Sequence, residues 1–74
     1  MTNDDKINLI AQALNYEGTL FPETNLQELE EWDSFGILGV IAMVDKHCAR
    51  RIKMEELKRV KTVQDILLLM ESEI

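Results

Sequence analysis

The apolar residues near the two ends of this chain recur with the same spacing. Ile7, Ile10, Ala11 and Leu14 stand at i, i+3, i+4 and i+7, and Val63, Ile66, Leu67 and Met70 repeat the pattern. Residues spaced in this way share one side of an α-helix, so each segment must bury a stripe against other helices. No strand-like alternation, internal repeat or low-complexity segment competes with it. The pattern predicts an all-α fold: a small bundle of three main helices plus one short helix, with a long loop between helices one and two.

The first helix is expected over about residues 3–15, with Thr2 or Asn3 as its cap and Asp4 and Asp5 in the favourable first turn. Gly18 and Pro22 then punctuate a long connection from Tyr16 to Asp33. Its apolar residues Leu20, Phe21, Leu26, Leu29 and Trp32 are too irregular for a helix and are expected to pin the loop across the bundle. Loops of this length inside small domains are often functional. The second helix is expected from Ser34 to about Ala49 and is apolar on more than one side. A short helical turn follows at Met54 to Arg59. Thr62, with Asp65 three residues on, caps the last helix. Ile10, Leu14, Leu38, Ile41, Val44, Ile66 and Leu67 are the expected core.

At 74 residues the chain makes one domain, 1–74, near the lower size at which a fold without disulfides or metal buries enough apolar surface. It leaves no room for a deep pocket. With 46% hydrophobic and 30% charged residues it is expected to fold despite its net charge of -6. That charge disfavours nucleic acid and anionic membranes as partners and favours proteins with basic surfaces. A lone cysteine, a start without signal-peptide character and the lack of an apolar run near roughly 20 residues point to the cytoplasm, with no membrane insertion, and a monomer is expected.

Charge is unevenly spread. Residues 1–34 hold eight acids against Lys6, whereas residues 45–61 hold seven bases against Asp45, Glu55 and Glu56. The molecule is therefore electrically polar.

Catalytic chemistry finds no support. A nucleophile needs a base within hydrogen-bond reach, but His47 and Cys48 are neighbours on a helix and point about 100° apart. Cys48 reads as a small core residue and His47 as an exposed one. Glu28, Glu30, Glu31 and Asp33 lack the ligand order and glycine turn of a calcium loop and read as a solvated acidic loop. No metal site and no enzyme is expected.

What remains is Trp32-Asp33-Ser34-Phe35, a serine where a long loop meets an apolar helix. Here the chain resembles the acyl carrier protein family, whose hallmark is Asp-Ser-Leu with the serine at the head of the second helix. The resemblance runs without gaps from Asp33 to Val63. It includes apolar Leu38, Ile41 and Val44, then Ile52, and Lys61-Thr62-Val63 opening the last helix. A helix N-terminus, with its unsatisfied N–H groups and partial positive charge, also favours an attached phosphodiester. Asp33 can cap the helix while Ser34 stays exposed as its first residue.

The resemblance implies that a phosphopantetheinyl transferase attaches a 4′-phosphopantetheine arm from coenzyme A to Ser34. The arm would hold acyl groups as thioesters for separate acyl-loading and acyl-transferring enzymes. Asp33, Phe35 and Leu38, with Glu30 and Glu31 of the acidic loop, form the expected partner surface. Ser72, the other serine, lacks a following apolar surface and is not an expected attachment site.

The chain departs from the family pattern at Leu29-Glu30-Glu31-Trp32, where Leu-Gly is usual, and at Gly36 and Gly39, where fatty-acid-synthesis carriers are commonly acidic. The Trp-Asp-Ser variant looks like carriers of specialised lipid, polysaccharide or secondary-metabolite pathways. Asp-Ser-Phe-Gly is also similar to D-alanyl carriers, so an aminoacyl or peptidyl carrier is the alternative. A helical interaction module without an arm is the alternative of another class. Gly36 and Gly39 each cost roughly 0.5–1 kcal/mol in a helix. Close approach of a partner, room for the arm, or simple tolerance are the readings open.

Overall fold

The computed structural model describes residues 2–71, and these fold as four α-helices. In chain order they are α1 (Asn3–Leu14), α2 (Ser34–Cys48), α3 (Met54–Arg59) and α4 (Val63–Glu71), with one turn of 3-10 helix at Leu26–Glu28 in the long loop. No strand forms among the described residues; an isolated antiparallel bridge joins Asn25 and Thr62. The all-α expectation and the order of its helices hold.

Both ends of α1 are closed by the chain's own groups. The Thr2 hydroxyl accepts from the Asp5 N–H at 3.1 Å, and the Asp5 carboxylate accepts from the Thr2 N–H at 3.2 Å. This reciprocal pair satisfies donors that a helix start otherwise leaves open. At the other end Asn15 turns into the left-handed region at φ 58°, and the Tyr16 N–H donates to the Ala11 carbonyl at 2.9 Å. Asparagine tolerates that conformation better than most residues.

The long loop is tied to the start of α4. The Leu26 N–H donates to the Lys61 carbonyl at 2.8 Å, the Val63 N–H to the Thr24 carbonyl at 3.2 Å, and the Gln64 N–H to the Pro22 carbonyl at 2.8 Å. Leu20 and Leu26 are buried, while Leu29 and Trp32 are half-buried against the core. The loop is pinned as its apolar residues suggest, apart from Phe21, which is exposed.

Thr62 caps α4, its hydroxyl accepting from the Asp65 N–H at 3.4 Å. In return the Asp65 carboxylate accepts from the backbone N–H of Lys61 at 2.9 Å and of Thr62 at 3.2 Å. The Lys61 bond first, then the Thr62 bond, hold the Asp65 carboxyl below its ordinary pKa, because both favour the charged form.

The core joins Ile7, Ile10 and Leu14 of α1 to Ile66, Leu67 and Met70 of α4, with Leu57 of α3 fully enclosed. From α2 it takes Ile37, Val40, Met43 and Val44. This corrects two expected core residues. Leu38 is 53% exposed, and Ile41 only packs on the rim of the core, half-buried. The reason lies in the helix phase. Gly36 is buried and faces α1 and the loop, and a residue two positions along points about 200° away, so Leu38 turns outward.

Those glycines are structural. A β-carbon on Gly39 would sit 2.5 Å from the Ala13 carbonyl oxygen of α1, and one on Gly36 would overlap the Glu31 carbonyl and lie 2.9 Å from a methyl of Leu14. The close approach that the two glycines permit is therefore made within the chain, by α1 and the acidic loop.

Candidate functional site

The head of α2 is built by Asp33. Its backbone is extended, at φ -125° and ψ -171°, and its carboxylate accepts from the Gly36 N–H at 2.9 Å. The Ile37 N–H donates to the Asp33 carbonyl at 2.8 Å and so closes the first turn. With Asp33 as the cap, Ser34 is the first helical residue and is exposed. Its hydroxyl stands at the positive end of the helix dipole, where an added anion is favoured.

The expected neighbours gather around it to different degrees. Phe35 is 86% exposed, and Leu38, three residues on and on the same side of the helix, is also exposed. An aromatic ring left so bare beside a charged loop has no packing role in this chain. Glu30 and Asp33 are exposed and Glu31 is half-buried. Glu30, Glu31, Asp33 and Phe35 line an open cleft of about 380 Å³ together with Leu14 and Asn15 from the end of α1. The participation of α1 was not foreseen. Its signal in the sequence was the glycine at position 36, which lets the loop and Leu14 close on α2.

A second open hollow, of about 260 Å³, lies farther along the seam of α1 and α2. Its walls include Leu9, Ala13, Gly39, Ala42, Lys46 and His47. Cys48 is half-buried and packs on the core, while His47 is exposed. Ser72 lies outside the described residues.

Among the described residues no three His, Cys, Asp or Glu side chains come together as a metal site. No helix there is long and apolar enough to cross a membrane. The head of α2 offers an exposed hydroxyl, a flanking carboxylate, a positive helix end and an apolar contact surface. No protein-family model, curated protein or solved structure matches the chain.

Proposed function

We propose that this protein is an acyl carrier, in which Ser34 bears a 4′-phosphopantetheine arm and acyl groups are presented on it to separate enzymes. The observation that supports the reading is the division of roles at the head of α2: Asp33 caps the helix, and the adjacent Ser34 is exposed. A serine occupied in capping would have its oxygen committed to the backbone. Here the hydroxyl is exposed at the positive end of α2, which favours the arm's phosphodiester against the opposing carboxylates of Glu30, Glu31 and Asp33.

In the attachment step the Ser34 oxygen attacks the phosphate of coenzyme A that carries the pantetheine. An O–P bond forms, the O–P bond of the diphosphate breaks, adenosine 3′,5′-bisphosphate leaves, and the serine proton passes to a base of the transferase. Once bound, the arm supplies a terminal thiol for thioester formation. The chain's own residues position the arm and engage partners, which is why a carrier needs no catalytic group. Specialised lipid, polysaccharide or secondary-metabolite synthesis is the setting we favour, because the acids near Ser34 lie in the preceding loop and the adjoining turns of α2 carry Gly36 and Gly39.

The exposed pair Phe35 and Leu38 also favours a second reading, a helical interaction module that carries no arm. Incubation with a broad-specificity phosphopantetheinyl transferase and a fluorescent coenzyme A separates the two. A carrier becomes labelled in a denaturing gel and Ser34→Ala does not; an unlabelled native protein supports the module.

A further inference from the structure

The acidic residues that precede Ser34 are held in a fixed turn. The Trp32 N–H donates to the Leu29 carbonyl at 3.2 Å, so Glu30 and Glu31 occupy its two central positions. Leu29 and Trp32, its ends, are half-buried against the core. The turn is also seated directly on α2. Gly36 is buried, and a β-carbon there would overlap the Glu31 carbonyl oxygen. That oxygen belongs to the backbone of the turn and cannot swing aside, whereas the Leu14 methyl at 2.9 Å is a side-chain end that can. The Gly36 N–H donates to the Asp33 carboxylate at 2.9 Å. Any residue but proline supplies that N–H, so the cap does not call for glycine at this position. The contact with the turn does.

We infer that Gly36 is a positioning residue for attachment at Ser34: it seats the turn of Glu30 and Glu31 against the head of α2, and so fixes where two carboxylates meet a basic partner relative to the hydroxyl that reacts. The inference rests on the carrier reading above and adds the residue that holds its docking surface in place. Attraction between exposed charges is screened within about 8 Å at physiological salt, so it guides a partner to Ser34 only while the carboxylates stay close to the serine. Alanine at position 36 keeps the N–H and with it the Asp33 cap, and it is the better helix former. What it displaces is the turn. A glycine needed for packing alone would affect melting and leave the KM of attachment unchanged.

Attachment kinetics on the full chain test this, followed by intact mass with coenzyme A and a broad-specificity transferase at a temperature where every variant is folded. Gly36→Ala is expected to raise the KM for the carrier about tenfold at low salt, the lower end of what electrostatic steering supplies, with kcat little changed and the gap closing as salt rises. Gly39→Ala disturbs the same helix pair through the Ala13 carbonyl, away from the turn, and is expected to keep the native KM. Glu30→Gln with Glu31→Gln is expected to raise KM in the native chain and to add little to Gly36→Ala, because groups that act through one another are not additive. Leu29→Ala releases the turn at its other anchor; it is expected to follow Gly36→Ala and carries the test if that variant does not fold. Equal KM effects from Gly36→Ala and Gly39→Ala, or the same effect of the two Gln substitutions in both backgrounds, overturn the positioning role while leaving the carrier reading intact. A native chain that gains no mass overturns both.

Discussion

The carbonyl oxygen of Ala13 lies 2.5 Å from where a β-carbon would stand on Gly39, so α1 and α2 meet backbone against backbone. Alanine there would gain about 0.8–1 kcal/mol of helix propensity, yet overpacking at so close a contact costs about 1–3 kcal/mol. Gly39→Ala is expected to lower the melting temperature, by roughly 4–8 °C for each net kcal/mol in a domain of this size. A raised melting temperature would show that the helices do not approach as described.

The phase of α2 can be tested at two adjacent residues. Ile37 is buried and Leu38 is exposed. Ile37→Ala is expected to cost about 2–5 kcal/mol, whereas Leu38→Ala should stay within about 0.5 kcal/mol. Denaturant titration of both variants checks the contrast, and similar losses would return Leu38 to the core.

The misplaced phase of α2 marks where sequence reasoning stopped. α1 and α4 each carry one apolar stripe, and their inward faces follow from spacing alone. α2 is apolar around most of its circumference, through Phe35, Ile37, Leu38, Val40, Ile41, Met43 and Val44, so periodicity could not choose its inner side. The choice is made by Gly36 and Gly39, whose partners, the Glu31 and Ala13 carbonyls, lie on other segments. The cap at Asp33 and the exposure of Ser34 were legible because capping is local. The cleft at the head of α2 was not, because it depends on how two distant segments are brought together.

Acid should weaken the start of α4. The Asp65 carboxyl is held below its ordinary pKa, first by the Lys61 N–H and then by the Thr62 N–H. A depressed folded-state value stabilises the fold above the ordinary carboxylate range, and that contribution is lost as pH falls toward the folded-state value. Asp65→Asn is therefore expected to lower the melting temperature at neutral pH, with the gap to the native protein narrowing as carboxylates become protonated. A gap that widens in acid would contradict the assignment.

Partner encounter should depend on the acidic loop more than on the far end of α2. Glu30 and Glu31 line the cleft beside Ser34, whereas Lys46 stands three turns away. Reversing Glu30 and Glu31 to lysine is expected to slow attachment by the transferase, more so at low salt, since screened surface charges act mainly on encounter rate. Lys46→Glu with Arg51→Glu should have a smaller effect. Stopped-time mass measurements at two salt concentrations would check the order, and the reverse order would move the docking surface to the far end.

The most direct test of the carrier reading is the intact mass of the native chain and of Ser34→Ala after parallel incubation with coenzyme A and a broad-specificity transferase. The native chain is expected to gain the mass of one phosphopantetheine group, and Ser34→Ala none. A native chain that stays unmodified, or a Ser34→Ala chain that gains the same mass, would contradict it.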